Sequence, residues 1–95
     1  MKIFISQPMN GRNNRSIIEE RQPIIEKYEK AGHEVINSVL DMGPGSAIKY
    51  LAKAIELLDD ADMIFMMKGW EKSRGCRIEH DVAVFYGREV IYQND

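Results

Sequence analysis

The chain has 95 residues, 44% of them hydrophobic and 29% charged, an ordinary globular balance at a length that allows one core and one domain over residues 1–95. A net charge of -2 offers no basic footprint for a nucleic-acid backbone, so no nucleic-acid partner is expected, although a helix N-terminus can still hold a small anion. The single cysteine, Cys76, excludes an internal disulfide, and with only His33 and His80 beside it there is no ligand set at a recognised metal spacing.

No metal and no cofactor are therefore expected. Polar Gln7 and Asn10 interrupt the first apolar run, so it does not read as a secretory segment or a membrane anchor, and the expected location is the cytoplasm.

In chain order, Lys2-Ile3-Phe4-Ile5 reads as a first strand, ending in the breaker-rich loop Ser6-Gln7-Pro8-Met9-Asn10-Gly11. Asn13 or Asn14 caps the helix that follows, whose apolar positions are Ile17, Ile18, Ile24, Ile25, Tyr28 and Ala31, with Gly32 just past its C-cap. Pro23 is expected to bend or divide that helix, because it removes a backbone donor. His33 to Ser38 reads as the second strand and Asp41-Met42-Gly43-Pro44-Gly45 as a turn. A second helix carries the stripe Ile48, Leu51, Ala52, Ile55 and Leu58, and Asp62 to Met67 makes a third, buried strand.

The last helix follows Lys68 to Gly75 and places Cys76, Glu79, Val82, Ala83 and Tyr86 on one face. Gly87 ends it, and Glu89-Val90-Ile91-Tyr92 returns as a fourth strand. This alternation predicts an α/β fold: a doubly wound parallel four-stranded sheet in the order 2-1-3-4, with helices on both faces. Its ligand crevice lies beyond the carboxyl ends of the first and third strands. Two loops emerge there, Ser6 to Gly11 and Lys68 to Gly75.

Glu79 is the odd member of an otherwise apolar stripe, placed about one turn into its helix where the dipole favours negative charge. It reads either as a functional carboxylate or as a dipole-stabilised surface residue. Ser73 and Gly75 either cradle a phosphate or, for Ser73 or Lys72, cap the helix. Gly11, Arg12 and Arg15 make a second anion cradle or a solvated surface. Trp70 and Met9 either cover a base or sugar or simply pack. His80 lies about 100 degrees round the helix from Glu79, which speaks against a Glu-His dyad. Cys76 has no evident base partner and reads as a small buried hydrophobe. The candidate site is thus Glu79 with Ser6, Gln7, Met9, Asn10, Gly11 and Arg12 from the first loop, and Gly69, Trp70, Ser73, Arg74 and Gly75 from the second.

Three segments together resemble the nucleoside 2-deoxyribosyltransferase-like superfamily, most nearly its small members, over essentially the whole chain. They are Ser6 to Gly11, Gly32-His33-Glu34-Val35, and Gly69-Trp70-Glu71-Lys72-Ser73-Arg74-Gly75 followed by Glu79. The resemblance implies that Glu79 is the nucleophile at the anomeric carbon of a nucleoside or nucleotide, and that Ser73 and Gly75 lie against the sugar or its 5'-phosphate. It also implies a homodimer whose neighbour completes the crevice. The chain departs from the pattern at Ala54, where catalytic members often carry an aspartate eight residues before Asp62. A second reading therefore stands beside the N-glycosidic-bond enzyme: an inert or weakly active nucleotide-binding module. A third is a structural partner in an assembly.

Overall fold

In the computed structural model, which describes residues 1–9, 11–36 and 46–94, strands and helices alternate along the chain. The strands are β1 (Lys2–Ser6), β2 (Glu34–Ile36), β3 (Met63–Met66) and β4 (Glu89–Tyr92), and the helices are α1 (Asn14–Lys30), α2 (Ala47–Asp59) and α3 (Arg74–Phe85). The four strands form one all-parallel sheet in the order β2-β1-β3-β4, with Phe4 opposite Ile64 and Ser6 opposite Met66. Since β1 and β3 run side by side in the same direction, the two candidate loops leave the same end of the sheet. They also lie close together, because a Cβ placed on Gly69 would come 3.8 Å from Pro8 Cγ.

Side chains on a strand alternate between the two faces of the sheet, and this divides the core in two. Phe4, Ile64 and Met66 pack with Ala54 and Leu58 of α2 and with Cys76 and Ala83 of α3. Ile3, Ile5, Met63, Phe65 and Met67 pack on the other face with Ile24 of α1. All of β3 is buried, as a parallel strand covered on both faces must be. By the same alternation Ser6 and Gln7, which follow Ile5, point to opposite faces.

The helix ends obey local rules. Asn13 caps α1 by accepting from the Ser16 amide, Ser46 caps α2 by accepting from Ile48, and Ser73 caps α3 by accepting from Cys76. At the C-terminus of α1, His33 N–H donates to Tyr28 C=O and Gly32 N–H to Glu29 C=O, each 3.0 Å. That double bond pattern requires a left-handed residue, and Gly32 supplies it at φ +91.

Four expectations change. Pro23 lies inside a single helix rather than dividing it, because it sits on the exposed face, where water can satisfy the carbonyl it leaves without a partner. On α2, Ile48 is 77% exposed and Ala52 is also exposed, while Ala54 and Leu58 make the buried stripe. A helix apolar on several sides does not reveal from spacing alone which side meets the sheet. Tyr86 is 76% exposed instead of ending the buried stripe of α3, because it already lies past the last helical residue. Ser6 belongs to β1 and not to the loop. Asn37, Ser38 and the expected turn Asp41 to Gly45 lie outside the described residues.

Candidate active site

Ser6, the last residue of β1, turns toward α3, and its hydroxyl donates to Glu79 Oε1 at 2.6 Å in a buried hydrogen bond. Glu79 is 7% exposed and is the sixth residue of α3, beyond the unpaired N–H groups of the first turn. The dipole expected to stabilise its charge is therefore too far along the helix to dominate, since that effect is confined to the first turn. Burial dominates instead. It pushes the carboxyl from 4.5 up to about 7, against the opposing pull of the Ser6 hydroxyl and the Arg21 guanidinium.

Gln7, also buried, takes the other face of the sheet. Its side-chain amide donates to Ile17 C=O at 3.0 Å and to Glu20 Oε1 at 2.9 Å, while its own oxygen accepts from Arg21 Nε at 2.9 Å. Arg21 also donates to Ile5 C=O at 3.3 Å. Arg12 is committed to α1, donating to Glu20 Oε1 at 2.8 Å and Ser16 Oγ at 2.9 Å, and to Pro8 C=O at 3.2 Å. The hydrogen bond from Arg12 holds the Glu20 carboxyl below its ordinary value. Arg15 pairs with Glu19 at 2.9 Å on the open surface.

Met9 receives the Tyr50 hydroxyl on its sulfur at 2.8 Å, so the first turn of α2 reaches across to the loop after β1. In the second loop the Trp70 face is occupied by His80, with ring centroids 4.4 Å apart, and His80 Nε2 lies 2.7 Å from the Tyr92 hydroxyl. His80 thus engages Trp70 and Tyr92 rather than forming a dyad with Glu79. Ser73 uses its oxygen as the α3 cap, 3.4 Å from Cys76 N, and Arg74 and Gly75 are the first two residues of that helix. Cys76 is buried, which raises its thiol, an effect opposed by hydrogen bonds with the hydroxyls of Ser6 and Ser73. Gly11 has φ +71 and opens the approach to α1, and Asn10 lies outside the described residues.

Of the residues legible in the sequence, the fold joins Ser6 to Glu79 and sends Gln7 to the opposite face, where it meets Arg21; Arg21 and Tyr50 were passed over. Arg21 carries a legible signal, since it stands four residues after Ile17 and three before Ile24 on a buried stripe. Tyr50 carries none, because its partner lies 41 positions away. Ala54, where an aspartate belongs in the resembled pattern, is 2% exposed inside the apolar cluster between α2, α3 and the sheet.

A separate open depression of about 570 Å³, bordered by Met1, Lys2, Gly32, Glu34, Asp60 and Asp62, lies at the amino ends of the strands, away from all of these residues. Among the described residues no cluster of His, Cys, Asp or Glu is arranged to hold a metal ion, and no helix is long and apolar enough to cross a membrane.

No curated protein matches the sequence at a significant level. Among solved structures, the Clostridium botulinum CMP N-glycosidase BcmB is similar, at a TM-score of 0.64 and 22% identity, over 97% of this chain and 67% of that one. At that identity the likeness speaks to the fold. The model of a domain family of unknown function, DUF4406, matches residues 1–92, and the chain belongs to that family.

Proposed function

We propose that this protein cleaves or transfers at the N-glycosidic bond of a nucleoside or nucleoside 5'-monophosphate, with Glu79 as the attacking carboxylate, in the manner of the deoxyribosyltransferase-like superfamily. The observation that carries this reading is the buried Glu79 carboxyl held by Ser6 at the carboxyl end of β1, where ligands of such sheets bind. The fold shared with a CMP N-glycosidase supports the choice of bond.

The chemistry follows from charge. Breaking the C1'–N bond leaves the electron pair on the base and positive charge on the sugar, which a carboxylate at the anomeric carbon stabilises or captures as an ester. The departing base takes up a proton from solvent; water or a second base then attacks the same carbon, the bond from C1' to the carboxylate breaks, and the attacker's proton returns to solvent. Burial that raises Glu79 to about 7 also strips it of competing water, so its charge acts in a medium of low dielectric. Ser6 fixes which oxygen faces the sugar. Ser73, Arg74 and Gly75 at the start of α3, with Gly69 and Trp70 before them, form the second wall, and Met9, Gly11 and Arg12 the first.

The nucleotide-binding module remains the second reading, and Ala54 favours it. A buried alanine supplies no carboxylate from α2 to assist the leaving base.

The distinguishing experiment incubates the protein with a panel of nucleosides and 5'-monophosphates, CMP among them, and reads free base by chromatography and binding by calorimetry. Base release from at least one member is expected. Binding without release transfers the assignment to the module, and neither leaves only the structural partner.

A single domain working as a cytoplasmic homodimer completes the proposal. Phe85 at 79% and Tyr86 at 76% exposed, beside Val84 at the end of α3, support self-association. Sedimentation at micromolar concentration is expected to give the dimer mass, and a monomer there would rule it out.

A further inference from the structure

Two helices each carry one charged residue in a buried stripe. Glu79 is that residue on α3, and on α1 it is Arg21, 2% exposed between Ile17 and Ile24. An ionised group in such a place is costly unless its hydrogen bonds and charge are answered, so its partners indicate what it is for. Arg21 Nε donates to the Gln7 side chain at 2.9 Å and its NH2 group to the Ile5 carbonyl at 3.3 Å. Ile5 and Gln7 flank Ser6, the residue that holds Glu79 from the other face. Burial lowers Arg21 from its ordinary value, opposed by the charges of Tyr50 and Glu79, so both groups lie within electrostatic reach of the guanidinium.

We propose that Arg21 is a positioning residue of this site, clamping the chain on both sides of Ser6 and serving as the counter-charge of Glu79 across the end of the sheet. The inference rests on Glu79 being the working carboxylate, but not on which bond it breaks. Ser6 from β1, Arg21 from α1 and Cys76 from α3 are the described groups acting on Glu79, and Tyr50 from α2 acts on Arg21.

The test replaces Arg21 in the full-length protein, as Arg21→Met and Arg21→Lys, and follows the Glu79 carboxyl carbon by NMR through a pH titration. Amide hydrogen exchange is read at Met67, whose N–H donates to the Ser6 carbonyl at 3.0 Å. In Arg21→Met the Glu79 midpoint is expected to rise by about one unit or more, as for a carboxylate losing an adjacent guanidinium. Arg21→Lys keeps the charge without the planar fork, so its midpoint is expected to stay near the wild-type value while the Met67 amide exchanges about tenfold faster. An unmoved midpoint in Arg21→Met overturns the counter-charge role. If that variant does not fold, Arg21→Gln, which also removes the charge, replaces it: a midpoint raised by about a unit supports the role, and an unmoved one overturns it. Unchanged exchange at Met67 in Arg21→Lys overturns the clamp. None of these readouts needs turnover, so a wild type that releases no base refutes the proposed reaction while the titration still decides the role of Arg21.

Discussion

Between about pH 5 and pH 8 the wild type is expected to lose about 2.5 kcal/mol of stability that a Glu79→Gln variant keeps. The carboxyl titrates at its ordinary 4.5 when the chain is unfolded and at about 7 in the fold, because burial disfavours the charged form more than Ser6 and Arg21 favour it. Below the lower value both states hold the proton, and the group imposes no penalty. Above the upper value both have lost it, and the fold carries the full cost of a buried charge, so stability falls as pH rises through this window. For a domain of this length the loss corresponds to roughly 10–20 °C in unfolding temperature. Glutamine keeps the oxygen that accepts from Ser6 and has no proton to lose. Thermal scans of both proteins at the two pH values read the difference, and subtraction cancels whatever the two proteins share. Parallel curves would mean that Glu79 is solvated and that its burial does not persist in solution.

That penalty is also an argument about function. The apolar pattern of α3 is satisfied by Cys76 and Ala83, so packing alone gives no reason for a glutamate between them. A group that weakens the fold at neutral pH and is nevertheless held by a hydrogen bond from another element has the character of a working residue.

Much of the architecture was legible because several local signals agreed. Glycines at 32 and 87 stand where left-handed C-caps are needed, serine at 73 caps α3, and strand-length apolar runs separate helical ones. Parallel order then followed from crossover handedness. Glu79 was legible as a charge in an apolar stripe. Arg21 obeys the same rule on α1 and was passed over, because arginine is so often a surface residue that its place between Ile17 and Ile24 did not stand out. The contacts that define the site's interior are tertiary. Alternation sends Ser6 to one face and Gln7 to the other, but only the packed helices show that Glu79 and Arg21 meet them there. On α2 periodicity placed Leu58 and Ile55 against the core but drew the stripe too wide, taking in exposed Ile48 and Ala52 and leaving out small, buried Ala54.

Release of free base by the wild type and by Glu79→Ala, read by chromatography on the best nucleotide of the panel, decides whether Glu79 attacks the anomeric carbon. Alanine removes the carboxylate while leaving in place the loops proposed to contact phosphate and base. Release is therefore expected to fall about a thousandfold or more, with affinity for the nucleotide held within about tenfold. The Ser6 hydroxyl and Arg21 lose a partner in this variant, so calorimetric binding and an unfolding scan accompany the assay and show that the fold survives. Loss of release with binding retained is the predicted result; base released by Glu79→Ala at the wild-type rate would contradict it.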